Sequence, residues 1–491
     1  MVKKICLLLA VLLLLAPLTA YAESEDNMQF IKEKDYYKKI LEKELEYFFE
    51  LSLPCGAVGM YPPAVNSYSG FDLPEIDGIK PEEYTRWPSS RIISYFSDTS
   101  VLGAIRADAA LGTEVAKEKV LAYLEWYMRH MNTKESDLSG VAGTVYDYQI
   151  FTSPDGRTVE LTEHDMYESQ YPNGGNPHDY DSTDSYAAMF IQLLYEYAKT
   201  YDKDYLTDKK DTVQTLVDVL MSTYIEKLDL TIAKPTYPAC YLMDNCEVYC
   251  GFVSAKDIFT EFLPDSEKAA FCAEKAEKVK NAINKRMWIE KDKCFTAAVS
   301  DRGVSMYTID LKEFYPQASC QLFPLIFGLM DPADERAAVI MDRFKKDFGT
   351  SWMTFGVGTY PWCLLVRGVL AYGDYEFAGK YIDAVNRRFI KRTHSAPYYN
   401  SESGSIMIAA AELYALAPEE EPASEPEDES CAEPVTEPVT EEVSAPESEP
   451  VSEPEAGESA GKLPLIIAGI GAAAVAAAVI SILFFKKRSK K

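Results

Sequence analysis

A short acidic loop carries the side chains best suited to proton transfer. Residues 179–185 read Asp-Tyr-Asp-Ser-Thr-Asp-Ser, between a loop rich in Gly, Asn and Pro and an apolar helical stretch. Asp181 and Asp184 lie three residues apart, so their side chains can share one face of a helix. Hydrolysis of a glycosidic bond needs two carboxyl groups, one protonated and one ionised. The spacing therefore predicts acid–base chemistry at the start of a helix.

Two opposing effects decide whether one of these carboxyl groups keeps a proton. A helix N-terminus favours the charged form by ~0.3–1 kcal/mol when it is exposed. Burial and a neighbouring like charge favour the protonated form. A sheltered cleft would make Asp184 the general acid, because it lies deeper along the helix than Asp181. The alternative is that Asp181 or Ser182 only caps the helix and Asp184 strengthens its first turn.

The opposing carboxylate must come from elsewhere in the chain. Asp98 interrupts an otherwise apolar helical stretch, whereas Asp244 and Glu247 repeat the first-turn pattern of the acidic loop. Glu402 is the weakest candidate. Each of these residues could equally be a helix cap or a hydrogen-bonded core residue.

Aromatic and basic side chains are the candidates for holding a polyhydroxylated ligand. An aromatic residue at helical spacing is also an ordinary core residue. Arg91 could hold hydroxyls or an acidic sugar, or close an ion pair. His178 beside the acidic loop could alternatively serve a polysaccharide lyase. The candidates are Trp87, Tyr61, Tyr186, Trp352, Trp362, Arg91 and His178.

Composition narrows the class of chemistry. A net charge of -28 argues against nucleic acid as a partner, because phosphate binding requires a basic stripe. Only four His are present, and no Gly-x-Ser-x-Gly elbow or Gly-rich phosphate loop occurs. The Cys spacing gives no zinc motif, so we expect neither a metal nor a cofactor. Whether the cysteines form disulfides stays open.

Apolar residues recur at helical spacing along most of residues 25–416, whereas strand alternation is scarce. Short turns join neighbouring helices into hairpins. Six hairpins predict an all-α fold, an (α/α)6 toroid with apolar inner helices such as 356–372 and amphipathic outer helices such as 205–226 or 374–391. Two separate helical domains, or a superhelical repeat, fit the helix count less well. The predicted helices are 34–52, 88–111, 113–132, 181–201, 205–226, 245–263, 265–287, 313–329, 332–346, 356–372, 374–391 and 402–416.

Four segments resemble the six-hairpin glycosidase superfamily, whose members cleave glycosidic bonds with an (α/α)6 barrel. The resemblance implies a glycoside hydrolase that acts on an extracellular or cell-wall glycan. A non-catalytic glycan-binding or surface-interaction protein on the same fold is the second hypothesis, and a polysaccharide lyase is the third. The segments are RWPSSRIISYFSDTSVLGAI (86–105), HDYDSTDSYAAMFIQLLYEYAKTYDKDYL (178–206), YLMDNCEVYCGF (241–252) and YPWCLLVRGVLAYGDYEFA (360–378).

The two ends of the chain predict export and membrane attachment. Residues 1–22 have the basic start, apolar run and small-residue cleavage site of a signal peptide. Residues 463–485 are uncharged and long enough to span a bilayer, and the basic residues 486–491 behind them belong in the cytoplasm. Between them, residues 417–461 hold 16 acidic residues and no basic one, a composition typical of a disordered stalk.

We therefore expect a monomeric ectodomain on the outer face of the cell membrane, tethered by one C-terminal helix. The C-terminal segment lacks the Thr-Gly of a sortase signal, so we expect a retained anchor rather than covalent attachment to the wall.

Overall fold

The computed structural model describes residues 25–176 and 178–418, which are mostly helical. Every predicted helix has a counterpart. The principal helices are α1 (Lys34–Leu51), α2 (Ser94–Leu111), α3 (Lys117–Arg129), α4 (Thr183–Thr200), α5 (Lys210–Thr223), α6 (Leu242–Glu261), α7 (Ser266–Ala282), α8 (Phe323–Ile326), α9 (Glu335–Met353), α10 (Leu364–Ala371), α11 (Tyr375–Val385) and α12 (Asn400–Leu416). Single turns occur at Glu25–Met28, Pro81–Tyr84, Glu163–Tyr167, Glu168–Gln170, Ile283–Met287, Phe314–Ala318, Ser319–Leu322 and Asn386–Ile390.

The even-numbered helices form a closed cycle of contacts. In this cycle α2 packs on α4, α4 on α6, α6 on α8, α8 on α10, α10 on α12, and α12 returns to α2. The odd-numbered helices pack outside this cycle against their chain neighbours, for example α5 on α4 and α7 on α6. Successive helices therefore pair as hairpins around a common centre.

The distribution of apolar residues explains which helices lie inside. Most residues of α2, α4 and α12 are buried, including residues on every side of each helix. By contrast, α5, α9 and α11 bury one face and expose charged residues on the other. The predictions that 356–372 is inner and that 205–226 and 374–391 are outer are confirmed.

The inner helices α2 and α12 meet through their backbones. A Cβ atom added to Gly404 would lie 2.2 Å from the carbonyl oxygen of Thr99, and one added to Gly103 would lie 2.6 Å from Cα of Gly404. No side chain fits between atoms at such distances. Glycine at both positions is therefore what allows the first and last inner helices to touch.

A buried acid fastens the outer helix α1 to the last hairpin. Glu44 is fully buried and accepts hydrogen bonds from the Tyr398 hydroxyl (3.0 Å) and from Ser403. The His394 imidazole lies 3.2 Å from the same carboxylate. At its other end, the Lys34 ammonium of α1 lies 5.5 Å from the Tyr414 ring of α12. The first and last described helices thus lie side by side.

Short strands, which the sequence pattern hardly shows, lie in the segments that connect the helices. The strands β1 (Ser89–Ile92), β2 (Tyr148–Thr152) and β3 (Thr158–Thr162) form an antiparallel sheet in which Arg91 faces Gln149. Three further antiparallel pairs join β4 (Tyr224–Ile225) to β5 (Leu230–Thr231), β6 (Ala239–Tyr241) to β9 (Ala298–Ser300), and β7 (Trp288–Ile289) to β8 (Cys294–Phe295).

Three predicted helix boundaries are wrong, each for a local reason. The segment 88–111 begins as strand β1, because residues 89–92 pair with β2 far along the chain. The segment 313–329 breaks into short turns around Pro316 and Pro324, since proline supplies no backbone donor. The segment 356–372 becomes helical only at Leu364, after Trp362 adopts a left-handed φ of 61°.

The structure settles the state of the cysteines within its described residues. Cys55, Cys240, Cys246, Cys250, Cys272, Cys294, Cys320 and Cys363 are all free thiols. Within residues 25–176 and 178–418, no helix combines the length and apolar character needed to cross a membrane. The predicted signal peptide, membrane helix and basic tail lie outside the described residues, as does the stalk beyond residue 418.

Candidate active site

The first turns of α2, α4 and α6 meet at one end of the helix cycle. Asp184 stands in the first turn of α4, Asp244 and Glu247 near the start of α6, and Tyr95 at the start of α2. Helix N-termini carry partial positive charge, which favours anionic groups there. Four of the six predicted carboxylates, those of Asp181, Asp184, Asp244 and Glu247, are brought together at this end.

Asp184 lies deepest in this group and is fully buried. Its Oδ2 accepts a hydrogen bond from Thr231 Oγ1 (2.6 Å), and its Oδ1 accepts from Ser182 Oγ and the Ser185 N–H (2.9 Å each). Burial nevertheless raises the pKa of Asp184 to about 7. Ser182 also caps α4, so the helix cap predicted as an alternative is present alongside the carboxylate cluster.

Thr231 fixes Asp184 relative to the next inner helix. Its backbone N–H donates to Asn245 Oδ1 (2.9 Å) on α6, while its hydroxyl donates to Asp184 on α4. One residue of β5 therefore ties the two carboxylate-bearing helices together.

Glu247 is buried beside Asp184 and is held by a tyrosine from α2. The Tyr95 hydroxyl donates to Glu247 Oε1 at 2.6 Å. Burial, together with the charge of Asp184, raises the pKa of Glu247 to about 8, while the Arg367 guanidinium acts in the opposite direction. Tyr95 was not predicted, since nothing in its sequence context sets it apart from a core aromatic.

Asp181 and Asp244 differ from these two residues because they reach solvent. Asp181 is exposed and Asp244 partly exposed. Within the described residues, neither carboxylate forms a hydrogen bond or ion pair with another residue. Crowding by surrounding protein raises the pKa of both groups. A side chain that is exposed yet crowded lies on a concave surface, so these two carboxylates face a hollow.

The pKa values of Asp181 and Asp244 respond differently to their surroundings. Burial and the charges of Asp184 and Glu247 raise the pKa of Asp244 well above its usual range. For Asp181, the ammonium of Lys234 opposes the rise. Lys234 itself forms an ion pair with Asp179 (2.8 Å).

An exposed tyrosine and a tryptophan stand over the same hollow. Tyr315 is 56% exposed, and its ring centroid lies 5.2 Å from that of Trp362. Burial on its other side and the charges of Asp181 and Asp244 raise the pKa of the Tyr315 hydroxyl. Trp362 was predicted, whereas Tyr315 was missed because it falls in a segment predicted to be a regular helix.

A second polar network borders the hollow next to the sheet. The Tyr186 hydroxyl donates to Asp147 Oδ1 (3.0 Å), and Arg91 Nη2 donates to Glu163 Oε2 (2.8 Å). Burial and the charge of Glu163 raise the pKa of Asp147 well above its usual range, and Arg91 opposes this. Arg91 thus closes an ion pair, as the sequence allowed. Asp147 was missed, because it stands in a loop without a helical pattern.

The remaining predicted ligand-binding residues lie at the margins of this region. His178 stacks on Tyr167 with ring centroids 3.9 Å apart, and burial lowers its pKa. Tyr61 packs near Tyr399 at the start of α12. There Glu402 accepts hydrogen bonds from the backbone N–H groups of Trp362 and Cys363, which joins α12 to the start of α10.

Three of the predicted site residues lie in the core, away from the cluster of Asp181, Asp184, Asp244 and Glu247. Asp98 is buried between α2 and α3, where the Tyr123 hydroxyl donates to its Oδ1 at 2.9 Å. Trp352 is fully buried and stacks on Tyr381. Trp87 belongs to a small separate core beneath the sheet. Among the described residues, no group of His, Cys, Asp and Glu is arranged to hold a metal ion.

No protein-family model matches the sequence, and no curated protein matches it. Several solved structures align with it. A glycosidase in complex with glucose is 12% identical, with 79% of this chain and 100% of that chain covered and a TM-score of 0.48. An alpha-amylase from Clostridium perfringens is 10% identical, with coverage of 76% and 97% and a TM-score of 0.46. A cold-adapted family 8 xylanase is 10% identical, with coverage of 77% and 91% and a TM-score of 0.45.

These three structures are a glycosidase, an alpha-amylase and a xylanase, which belong to the class of enzyme that the four sequence segments resemble.

Proposed function

We propose that the helix cycle is an (α/α)6 toroid that hydrolyses glycosidic bonds, with Asp244 as general acid and Asp181 as the ionised carboxylate. One observation supports this assignment above the others. Asp181 and Asp244 reach the same hollow without protein partners, and their surroundings raise the pKa of Asp244 more strongly. Two carboxyl groups whose pKa values are driven apart by their environments are typical of an acid and a base in one site.

In this mechanism Asp244 donates its proton to the glycosidic oxygen as the bond to the sugar carbon breaks. Asp181 assists attack on that carbon from the opposite side, either by taking a proton from water or by attacking directly. Its solvent exposure and the nearby Lys234 ammonium favour the ionised form that either role requires.

Asp184 and Glu247 are positioning residues in this proposal. Both are buried, and both oxygens of Asp184 are occupied by hydrogen-bond donors, so neither group is free to reach a substrate. When they ionise, their charges raise the pKa of Asp244. The sequence favoured Asp184 as the acid because it lies deeper along its helix, but the same depth separates it from the hollow.

The test compares Asp244→Asn and Asp181→Asn in the full chain. Release of reducing ends is measured on soluble glucans, xylans and chito-oligosaccharides, and the best substrate is then used for kinetics. Each variant is expected to lose about 10²–10⁴-fold in kcat, since each removes one proton-transfer group. Circular dichroism checks that both variants remain folded.

Asp98→Asn is the matched control, because Asp98 is a buried carboxyl outside the hollow. It should keep the activity of the unmodified chain. Full activity in Asp244→Asn would reject the assignment. Saturable binding without reducing ends would favour a glycan-binding protein, and an unsaturated product that absorbs in the ultraviolet would favour a lyase.

We also propose that the enzyme is exported and tethered to the outer face of the cell membrane by residues 463–485. The signal-like start, the acidic stalk and the basic residues behind the apolar segment support this proposal.

A further inference from the structure

Tyr315 and Trp362 form an aromatic pair in which the Tyr315 side chain is not needed to fill the core. Tyr315 is more than half exposed, although its neighbour Phe314 is buried. The Trp362 ring lies edge-on to Phe314 at 5.4 Å, which holds it in place behind Tyr315. A tyrosine held at an angle by a tryptophan presents a rigid face to the hollow, at small cost in conformational entropy.

The two carboxyl groups beside this face form no ion pair with a cation. Asp181 and Asp244 have no hydrogen-bond or ion-pair partner among the described residues, and the nearby cations are either paired elsewhere or buried. Arg91 is paired with Glu163, and Lys234 is paired with Asp179. Arg367 is buried on α10, where its Nη1 has no hydrogen-bond partner and no contact with solvent, and its charge acts on Glu247 and Glu412.

From this arrangement we propose that the site takes uncharged sugars and rejects uronic acids, with the Tyr315–Trp362 pair stacking on the apolar face of the sugar ring. This inference rests on the proposed function and adds the substrate class to it. A sugar carboxylate would meet two carboxyl groups, and the one unpaired cation nearby among the described residues, Arg367, is buried. The C–H groups of a neutral ring, by contrast, match an aromatic face. The structure thus disfavours the acidic-sugar role that the sequence allowed for Arg91.

The experiment measures binding by calorimetry to the full chain carrying Asp244→Asn, which separates binding from turnover. The probes are maltohexaose, cellohexaose and xylohexaose, together with maltohexaose and cellohexaose oxidised at C6 to the uronates. At least one neutral oligosaccharide should bind, and its oxidised form, where one exists, should bind at least about tenfold more weakly. Equal or tighter binding of an oxidised form would overturn the proposal, and so would binding of none of the probes.

Tyr315→Ala in the same background should weaken binding of the neutral oligosaccharide about tenfold, as expected for loss of one aromatic stacking partner. Tyr315→Phe should retain most of the affinity, because it keeps the ring. Phe271→Ala removes an exposed aromatic from the outer helix α7 and serves as the matched control. An unchanged affinity in Tyr315→Ala would reject the stacking role.

The two proposals fail in different ways. Binding of neutral sugars without hydrolysis by the unmodified chain would leave the substrate class standing and reject the activity. Hydrolysis of the oxidised oligosaccharides in preference to the neutral ones would leave the activity standing and reject the substrate class.

Discussion

Four carboxyl groups that lie close together repel one another when they are ionised, and the protein surrounds the members of this group differently. Glu247 and Asp184 are shielded by hydrogen bonds from Tyr95 and Thr231, whereas Asp181 and Asp244 are left open to the hollow. Burial places the first pair close to Asp244 in a medium that screens charge poorly, so ionisation of one of these groups raises the pKa of its neighbours. In the proposed mechanism, the chemistry of the exposed pair therefore depends on two buried residues that do not contact the substrate.

One consequence of this arrangement is a stability that falls as the pH rises. Burial raises the pKa of Glu247 to about 8, from an ordinary value of 4.5. Between these two values the folded state holds a proton that the unfolded state has lost, so each pH unit costs up to ~1.4 kcal/mol of unfolding free energy for this group. The stability is fully present below the ordinary pKa and is lost as the pH rises through the folded one.

Glu247→Gln should therefore flatten the dependence of unfolding free energy on pH between about 5 and 8. Urea denaturation at several pH values in this range measures the effect. Glu118→Gln, at an exposed position on α3, is the control and should leave the slope unchanged. A slope in Glu247→Gln equal to that of the unmodified chain would contradict the prediction.

Sequence reasoning located the carboxylates, whereas the roles proposed for them depend on burial and hydrogen bonds that only the structure gives. Asp181, Asp184, Asp244 and Glu247 stand at helix starts that a periodic pattern locates, so their proximity followed from the predicted order of hairpins. Asp98 has a similar local context, yet its side chain turns towards α3. Spacing along one helix cannot give the direction in which a side chain points relative to its neighbours.

At the scale of elements, helical periodicity predicted the helices reliably. The strands and the breaks within helical segments were not predicted. All the principal helices were anticipated, because an apolar stripe repeats within each. Strand β1 was not, since its partner β2 lies more than fifty residues away. Tyr315 was not predicted as a site residue. It lies in a segment predicted to be a regular helix, and Pro316 breaks that helix.

The crossing of α2 and α12 gives the element-scale prediction. Gly404→Ala places a methyl group 2.2 Å from the carbonyl oxygen of Thr99, so the two helices must separate. The expected loss is about 1–3 kcal/mol of unfolding free energy, typical of an overpacked core. Urea denaturation measures it.

Gly349→Ala is the matched control on the outer helix α9. A Cβ atom there would meet only the Phe377 ring, at 3.5 Å, an ordinary contact distance. Because alanine favours helix over glycine, this variant should be stabilised by up to ~1 kcal/mol. Equal effects of the two substitutions would show that the helix crossing does not depend on glycine.

At the scale of the whole molecule, charge is divided between the helical domain and the segment that follows it. The 16 acidic residues of 417–461 supply more than half of the net charge of -28. The proposed tether beyond them carries no charge, and its flanking residues are basic. This order of charge supports a domain that works at a distance from the membrane surface.

Deletion of residues 463–491 should move the protein from the membrane fraction to the medium. The activity per molecule should not change, since the hollow is built entirely from residues before 418. Fractionation of cells that express the two forms, followed by immunoblotting, measures the distribution. Retention of the shortened form in the membrane pellet would reject the tether.

The side-by-side placement of α1 and α12 has a consequence for how the chain is assembled. Contacts of Glu44 with the last hairpin, and of α2 with Gly404, can form only after some 300 to 350 intervening residues have been made. During synthesis the earlier hairpins therefore form an incomplete cycle, which closes only when the last hairpin has been made. The same adjacency makes the starting point of the polypeptide arbitrary: a short peptide linking residues 31 and 418, with new ends cut at the exposed turn after Leu111, would preserve every inner contact while changing which hairpin arrives last.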